Sequence, residues 1–373
     1  MTEQPVSTAE YSDPGDPLPP AAIESRTVVM LIGGFSAVLI ATLAALLPVK
    51  YAVLHPGPVL NTLGEVKVKG KATPLISISG RKTYPTSGQL DLTTVSVVGG
   101  PNRPITLVQV ITGWLDRTAA VVPQEQVFTP GQTQQQSDAE NQAEMVSSQE
   151  SATAAALATL GIAVPTKLSV AGVAPTAPAS KLLKDGDVIR SVNGQKITDL
   201  QKLRTLLEAT KAGAEVEMSI QRKGVDRTLT VATIASPEDG RTVLGVYLDP
   251  TFSFPFSVKI QIEDIGGPSA GTMFALGIID TLTEGDLTGG KKIAGTGTID
   301  ADGLVGPIGG IRQKLVGARN AGARYFLAPA DNCDEVVKHV PDGLTVVKID
   351  TLDHAEDAVK AIAAGKVSTL AGC

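Results

Sequence analysis

The run TGTIDADGLVGPIGGIRQK, residues 296–314, is the stretch that most constrains the fold of this 373-residue chain. Its Gly-Gly pair precedes IRQKLVGARNA, residues 311–321, which is predicted to be a helix that opens at those glycines. Lys314 falls in the first turn or so of this helix, flanked by the apolar residues Ile311 and Leu315. The stretch therefore predicts a helix that carries a lysine close to its N-terminus.

The predicted position of Lys314 bears on its charge. The positive end of a helix dipole and an apolar environment both disfavour a charged ammonium group. A lysine that acts as a general base near neutral pH needs its pKa lowered from ~10.4 to about 7–8, a shift of roughly 4 kcal/mol. The alternative is an ordinary solvated lysine on a helix surface.

A second stretch, GGPSAG at residues 266–271, follows an alternating run at 256–262 and precedes a predicted helix at 270–282. Ser269 is thus expected at a strand-to-helix junction, where its hydroxyl is exposed and helix N–H groups face a possible oxyanion. A purely structural serine at a helix N-cap is the alternative. A Ser–Lys pair needs no histidine, which agrees with the scarcity of histidine in this chain, three residues in all.

Together the two stretches resemble the proteolytic domain of the Lon family, whose motifs are GPSAG and TGxIxxxGxVxPIGG[LI][KR]xK. Both motifs are complete in this chain, and the resemblance covers about residues 240–373. It implies that Ser269 is the nucleophile and Lys314 the general base. It also implies that Thr296 takes the place of the family threonine that hydrogen-bonds the catalytic lysine.

Two departures from the Lon pattern are visible. Many Lon proteins carry an acid directly before GPSAG, where this chain has Gly266; the nearest acids, Glu263 and Asp264, are assigned no catalytic role. Full-length Lon proteins also carry an ATPase module, which needs a phosphate-binding loop. The run GDLTGGKK, residues 285–292, is close to such a loop, but lysine replaces the Ser or Thr whose hydroxyl binds magnesium. We interpret it as a basic turn.

A different module is predicted at residues 156–236. An Asn-Gly pair at 193–194 lies between apolar runs, which is a strong hairpin signal. An amphipathic helix at 198–210 and two alternating strands at 215–221 and 227–232 follow. This segment resembles a PDZ domain, in which an open sheet edge accepts an extended peptide.

PDZ domains hold a ligand carboxylate on the backbone N–H groups of a glycine-containing loop. The nearest candidate for such a peptide-binding loop is Leu160, Gly161 and Ile162. Alternatively, Gly161 only caps the helix that precedes it.

The N-terminal region predicts membrane attachment. Residues 1–26 are rich in proline and acids and are expected to be a disordered tail. The 21 residues 27–47 carry no charge, which at about 1.5 Å per residue is long enough to cross a hydrocarbon core of about 30 Å. We predict one uncleaved span, residues 27–48; a cleaved signal peptide and a buried core helix are the alternatives.

Two signals bear on orientation, and they disagree. Arg26 precedes the span, whereas Lys50, Lys67 and Lys69 follow it, which weakly favours a cytoplasmic C-terminal part. The order of span, PDZ-like module and Lon-like domain resembles the ATP-independent, membrane-anchored PDZ–Lon proteases of bacteria. This resemblance implies a single-pass protein of the cell membrane whose catalytic part faces away from the cytoplasm.

Composition narrows the possible partners. The net charge is −6 without a basic cluster, and aromatic residues make up 3%, which argues against nucleic acid binding. With two cysteines and three histidines, no metal site and no cofactor are predicted. The expected partners are protein or peptide substrates, the lipid bilayer and, by analogy with Lon, further copies in a ring.

The predicted fold class is a multidomain α+β protein with one transmembrane helix, a β-rich PDZ-like domain and a Lon-type α/β proteolytic domain. A membrane-proximal region of short strands, residues 49–155, is expected to separate the span from the PDZ-like domain, and the proteolytic domain is expected at 237–373. Within the membrane-proximal region, residues 131–151 are either a linker or a surface helix.

Two other functions fit parts of the sequence. A tethered PDZ scaffold with an inert Lon-like domain is one. An α/β-hydrolase is the other, because GPSAG also fits G-x-S-x-G and His339 or His354 could complete its triad.

Overall fold

The computed structural model describes residues 25–68, 70–101, 103–237, 240–262 and 265–373. The predicted tail at 1–26 lies almost entirely outside these residues, as do Glu263 and Asp264.

The elements before the PDZ-like module are, in chain order, α1 (Ser25–Ala45), β1 (Pro48–Val49), β2 (Tyr51–Asn61), β3 (Glu65–Val68), β4 (Lys71–Pro74), β5 (Ile76–Ser79), β6 (Gln89–Val98), β7 (Ile105–Thr106), α2 (Leu107–Leu115), β8 (Ala120–Pro123) and α3 (Gln134–Thr159). The polar segment at 131–151 is therefore part of a helix, which continues through the alanine-rich stretch. A capping box starts α3, since Thr133 and Gln136 satisfy each other's backbone N–H groups.

The middle of the chain forms β9 (Thr166–Val173), β10 (Val188–Val192), β11 (Gln195–Lys196), α4 (Leu200–Glu208), β12 (Glu215–Arg222), β13 (Val225–Ala232), β14 (Ile234–Ala235), β15 (Thr242–Val243) and β16 (Val246–Phe252). The predicted Asn-Gly hairpin is confirmed, with positive φ at Asn193 (49°) and Gly194 (74°) between β10 and β11. Asp199 caps α4 by accepting a hydrogen bond from the Lys202 N–H.

The remaining elements are β17 (Ser257–Ile260), α5 (Gly271–Leu282), β18 (Lys292–Gly295), β19 (Thr298–Ile299), β20 (Val305–Gly306), α6 (Ile311–Asn320), β21 (Tyr325–Pro329), α7 (Cys333–Val336), β22 (Thr345–Ile349) and α8 (Leu352–Ala363).

One six-stranded sheet organises the part of the chain outside the PDZ-like module, in the order β22-β21-β18-β6-β2-β8. The strands from β22 to β6 are parallel, whereas β2 pairs antiparallel with both β6 and β8. In strand β2 the run His55-Pro56-Gly57-Pro58 is accommodated by a register shift between Pro56 and Val59, because proline cannot donate a ladder hydrogen bond.

The two faces of this sheet are covered by different helices. Leu327 and Val347 point to the face where α3, α5 and α8 pack, whereas their neighbours Phe326 and Val346 point to the face of α6 and α7. This alternation along each strand is the ordinary side-chain period of two. It gives the sheet a core on each side.

This sheet differs from the expected division at 49–155 and 237–373. Strands β2, β6 and β8 precede the PDZ-like module but share the sheet with β18, β21 and β22, which follow it. Helix α3 likewise packs on α5, because its buried alanines and Met145 belong to the same core. The membrane-proximal region and the C-terminal region thus form one folded unit, into which the PDZ-like module is inserted.

The PDZ-like module has its own sheet, ordered β13-β12-β10-β9-β16, and its own core. Strand β16 extends this sheet past the predicted boundary at 236 and occupies one edge.

Helix α1 is separate from all of these cores. The window Val28–Ala45 has a mean hydropathy of 2.4 and none of it is buried, so its length and composition suffice to cross a membrane. At the other end of the chain, Cys333 and Cys373 form a disulfide. It holds the final residues beside β22, where the Lys348 N–H donates to the Ala371 carbonyl.

Candidate active site

Ser269 lies in the turn that leads into α5. Gly267 before it has a φ of +84°, a conformation that favours glycine, and Ala270 is the N-cap residue of the helix. The Ser269 side chain is half-buried and borders a cavity. The sequence prediction of a serine at a strand-to-helix junction is confirmed in this respect.

Lys314 reaches Ser269 from the start of α6. Gly310, in a left-handed conformation with φ +68°, is the N-cap of this helix, and its carbonyl accepts the Lys314 N–H at 3.1 Å. The Lys314 Nζ lies 2.8 Å from Ser269 Oγ and 3.0 Å from Thr296 Oγ1. Only 3% of Lys314 is exposed.

Thr296 connects the lysine to the backbone of the serine. It follows β18 directly, and its hydroxyl donates to the Ser269 carbonyl at 2.9 Å. The Gly297 N–H donates to the same carbonyl, also at 2.9 Å. The structure thus brings together the three residues Ser269, Lys314 and Thr296, and the two hydrogen bonds to one carbonyl fix the serine relative to the threonine.

Burial changes the charge of Lys314. Removal from water disfavours the ammonium form and lowers the pKa of Lys314 from 10.5 to about 7. None of its hydrogen-bond partners among the described residues is a carboxylate that would restore the charge. A substantial fraction of the amine is therefore neutral at ordinary pH and can accept a proton.

The N-terminus of α5 adds hydrogen-bond donors. Among the described residues, the N–H groups of Ser269 and Ala270 have no hydrogen-bond acceptor. Both stand at the positive end of a 12-residue helix, where N–H groups and the dipole favour negative charge. These groups suit an oxyanion that develops next to the Ser269 hydroxyl.

A cavity of about 440 Å³ opens beside Ser269 and Lys314. One wall is formed by β6, from Thr93 to Val97. Strand β18 pairs with β6 only as far as Leu92, so the same edge of β6 has no strand partner beyond that residue within the described part of the chain. This open edge was not predicted from the sequence.

Leu160, Gly161 and Ile162 lie far along the chain from this site, at the C-terminus of α3. The Gly161 N–H donates to the Ala158 carbonyl and the Ile162 N–H to the Leu157 carbonyl, with φ +69° at Gly161. This is a Schellman cap, which uses the N–H groups that a ligand carboxylate would need. The helix-cap alternative is thus the arrangement in the structure.

A different Leu-Gly-Val run stands where an open sheet edge is available. Leu244 is buried in the PDZ core, Gly245 has φ +71°, and Val246 begins the edge strand β16. Leu203 and Leu207 of α4 belong to the same core. The sequence analysis missed this Leu-Gly-Val run because it lies beyond the predicted end of the module at residue 236.

The PDZ-like module contacts the other folded unit at the turn between β19 and β20. Arg204 of α4 pairs with Asp302 at 2.7 Å and with Asp300 at 3.2 Å, both in the turn between β19 and β20. A cavity of about 780 Å³ lies at this junction, with Gly161, Leu200 and Asp302 in its wall.

The remaining candidates from the sequence lie elsewhere. Residues 285–292 lead into strand β18 rather than into a helix, so they lack the helix N-terminus on which a phosphate-binding loop depends. The ring nitrogen of His339 contacts the Glu335 carbonyl and that of His354 contacts Asp350.

Comparison with known proteins identifies two domains. A family model described as PDZ domain matches residues 138–233, and one described as Lon protease (S16) C-terminal proteolytic domain matches residues 263–363. The chain therefore contains a PDZ domain and a Lon-type proteolytic domain, and these matches support a Lon-like serine peptidase.

Curated relatives match the second domain. Lon protease 1 of Bacillus subtilis (strain 168) is 31% identical over 113 residues, which are 28% of this chain and 14% of that protein. The Lon protease of Phenylobacterium zucineum is 40% identical over 97 residues, which are 26% of this chain and 12% of that protein. The chain thus covers only a small part of the length of these relatives.

Among solved structures, the PDZ domains of the SdrC-like proteins of Listeria monocytogenes and Listeria innocua are similar to this chain. Each is 21% identical and covers 22% of this chain, and the matches cover 85% and 92% of those chains with TM-scores of 0.21 and 0.22.

Proposed function

We propose that the chain is a membrane-anchored serine endopeptidase that works without ATP, with Ser269 as nucleophile, Lys314 as general base and Thr296 as the residue that positions the lysine. The observation that carries the proposal is the 2.8 Å contact between Ser269 Oγ and an amine that is almost wholly buried. A nucleophile in hydrogen-bond reach of a base whose pKa lies near neutrality is what covalent peptide hydrolysis requires.

The chemistry proceeds in two halves. Neutral Lys314 takes the Ser269 proton as Oγ bonds to the peptide carbonyl carbon, and the α5 N–H groups stabilise the oxyanion. The C–N bond then breaks and Lys314 gives its proton to the leaving amine. Water repeats the cycle: Lys314 accepts its proton, the hydroxyl oxygen bonds to the acyl carbon, and the ester bond to Oγ breaks with return of the proton to the serine.

The free edge of β6 suits an extended substrate. A peptide that pairs with residues 93–97 as an added strand passes through the cavity beside Ser269. Such pairing uses main-chain hydrogen bonds, so the substrate must be a flexible segment, a tail or an already loosened protein. This requirement agrees with an enzyme that has no ATP-driven unfolding.

The PDZ domain is proposed to select or present substrates. Strand β16 offers a sheet edge and α4 lies in the same core, which is the arrangement that accepts an extended peptide. The Arg204 contact places this domain directly on the turn that follows Thr296 along the chain.

The proposed membrane anchoring rests on α1, and the proposed location of the C-terminal part outside the cytoplasm rests on the disulfide. Helix α1 has the length and hydropathy of a span, a test that a signal sequence also passes. The Cys333–Cys373 disulfide is of a kind that persists in oxidising compartments, which supports a catalytic part outside the cytoplasm.

The proposal is tested by cleavage of casein, an unfolded protein, by the full-length chain in detergent or liposomes. Ser269→Ala and Lys314→Ala should each abolish cleavage, and so should Lys314→Arg, because a guanidinium group is not deprotonated. Addition or omission of magnesium-ATP should not change the rate. Circular dichroism and thermal melting establish that each variant is folded, and wild-type-like cleavage by any of them would overturn the assignment.

The same assay separates the two rival functions. The double variant His339→Ala/His354→Ala should retain activity, whereas an α/β-hydrolase would lose it. If the chain were a scaffold with an inert domain, the wild-type chain and the Ser269→Ala variant would show the same absence of cleavage.

A further inference from the structure

Helix α2 presents an apolar face to solvent. Val108, Ile111, Trp114 and Leu115 are 44%, 45%, 65% and 79% exposed. At 3.6 residues per turn these four side chains fall on one continuous arc of the helix. The opposite side is already used, because Val110 and Gly113 are buried against β2 and β8.

The position of α2 is fixed next to the end of α1. The Leu107 N–H, at the start of α2, donates to the Leu47 carbonyl at 3.2 Å. Strand β1, which follows the span, pairs with β7, which leads into α2. Helices α1 and α2 are also in direct contact. Wherever α1 leaves a bilayer, α2 lies at the surface of that bilayer.

The chemistry of the segment fits the lipid headgroup region. Trp114 is the sole tryptophan of the chain, and tryptophan is the residue type that favours the membrane–water interface. Lys50 and Arg117, on either side of this region, are exposed and have no ion-pair partner among the described residues. The carboxylate of Asp116 accepts hydrogen bonds from Thr118 and lies 3.8 Å from His55. A second carboxylate, that of Glu125, is exposed and follows Gln124, whose N–H donates to the Lys50 carbonyl.

We infer that α2 lies in the plane of the membrane surface, with Val108, Ile111, Trp114 and Leu115 inserted between lipid headgroups. This inference rests on the anchoring by α1 proposed above. An interfacial helix of this kind inserts its apolar face about 5–10 Å into the boundary between headgroups and acyl chains. Together with α1 it gives the catalytic unit two attachments, which define its orientation as well as its distance from the membrane.

The attachment is close to the site. The loop after α2 meets the catalytic helix directly, because Gln313, the neighbour of Lys314, donates from its side chain to the Thr118 carbonyl. Strand β6 runs from the cavity at Thr93 to Val98, where it pairs with Val53 near the start of β2. Five residues of strand span about 17 Å, so the membrane-side end of the substrate edge is one short strand from the site.

The test uses Trp114 as an intrinsic probe in the full-length chain, reconstituted into phosphatidylcholine–phosphatidylglycerol vesicles. Flotation first reports anchoring. Fluorescence is then measured with lipids brominated on the upper acyl carbons and, separately, with aqueous iodide. We expect bromolipid to remove about half or more of the emission, as for a group at the depth of an interfacial helix, and iodide to have little effect.

The other outcomes overturn the inference in distinguishable ways. Vesicles that float with Trp114 open to iodide would leave anchoring intact but show that α2 faces water. Shielding from both quenchers would show that protein, such as a second copy, covers the face. A chain that fails to float would overturn both the anchoring and this inference, while cleavage of casein in detergent would still support the peptidase.

Variants give a second readout. Ile111→Asp and Leu115→Asp should each reduce bromolipid quenching of Trp114 at least twofold while the protein still floats and still cleaves casein. Matched controls are Val225→Asp and Val337→Asp, which are 58% and 59% exposed but lie in the PDZ domain and beyond α7. Quenching that is equal in the α2 variants and the controls would contradict the proposal.

Discussion

In the proposed mechanism, the protonation of Lys314 sets the pH dependence of cleavage. Because burial lowers the pKa of Lys314 to about 7, the amine is charged and inactive as a base below that pH and neutral above it. The rate constant kcat/KM for casein or a peptide should therefore rise as pH increases through about 7 and level off above it. A profile that is flat from pH 5 to 9, or that rises only near the pKa of a solvated lysine, would show that the base is not this amine.

Asp280 in α5 is a second buried group with an altered pKa. It is 1% exposed, one of its oxygens has no partner among the described residues, and burial raises its pKa to about 6. A raised carboxyl pKa means that the folded state binds the proton more tightly than the unfolded state. Stability is therefore highest below about pH 4 as far as this group is concerned, and is lost as pH rises towards 6.

Asp280→Asn should accordingly raise the free energy of unfolding at pH 7 by about 1–2 kcal/mol, since an amide needs no charge in the core. It should also reduce the change in stability between pH 4 and 7. The control is Asp286→Asn, where the Ser87 hydrogen bond holds the pKa below its usual range; its stability should fall or stay unchanged. Urea unfolding at both pH values measures each effect.

At the residue scale, the sequence was sufficient to name the residues of the proposed site but not to predict their geometry. The motifs around Ser269 and Lys314 allow the two side chains to be named, yet no spacing along the chain states that they are 2.8 Å apart or that the amine is buried. Asp280 could not be predicted, because it sits in an apolar run and its lack of a partner depends on the packing of the whole unit.

At the scale of single elements, α6 positions the lysine through its N-cap residue. Gly310 has φ +68°, and a Cβ added there would lie 2.7 Å from Val95 Cγ2. Gly310→Ala should displace the start of α6 and lower kcat by about 10-fold or more, because a shift of about 1 Å in a catalytic group is costly. Steady-state kinetics together with thermal melting measure the change.

Gly322→Ala is the matched control at the other end of α6. Its φ is +90°, so alanine meets a similar backbone strain of about 1–2 kcal/mol, but nothing lies within 4 Å of the added Cβ. It should lose stability with little change in kcat. Equal losses of kcat in both variants would mean that the helix start has no special role.

Element boundaries were predictable where local chemistry was strong. The Asn-Gly hairpin and the Asp199-capped helix follow from residues that act over three or four positions. The full length of strand β2 could not be predicted, because prolines at 56 and 58 normally end a strand and the register shift that accommodates them depends on β6. The polar half of α3 was undecided for a related reason, since its support comes from packing against α5.

At the scale of the whole molecule, Arg204 links the PDZ domain to the catalytic unit. Its partner Asp302 is largely buried, which raises the pKa of that carboxyl to about 6 although Arg204 acts in the opposite direction. Arg204→Ala leaves this carboxylate without its cation, so hydrogen exchange in residues 298–306 should become faster. Below pH 6 the wild type should approach the variant, because Asp302 then takes up a proton.

The control for this contact is Arg227→Ala, an exposed arginine on β13 within the PDZ sheet. It should leave exchange at 298–306 unchanged. If Arg204→Ala also left it unchanged at pH 7, the ion pair would not hold the two units together.

The order of domains could be predicted from the sequence, but the way in which they share the chain could not. Local patterns identify the PDZ domain and the two catalytic motifs wherever they stand. Strand β6 pairs with β18, some 200 positions later, at Gln89 and Lys292. No local pattern in the sequence indicates this pairing.

This interrupted sheet has a consequence for synthesis on the ribosome. Strands β2, β6 and β8 are translated first, and their apolar faces stay uncovered until the later strands of the sheet are made. The PDZ domain contains all the strands of its own sheet, so it can fold before the rest of the chain is translated. Only when β18, β21 and β22 have emerged can the parallel half of the sheet close and α6 bring its amine to the serine. In the proposed mechanism, a nascent chain therefore has no assembled Ser269–Lys314 pair until these last strands have been translated.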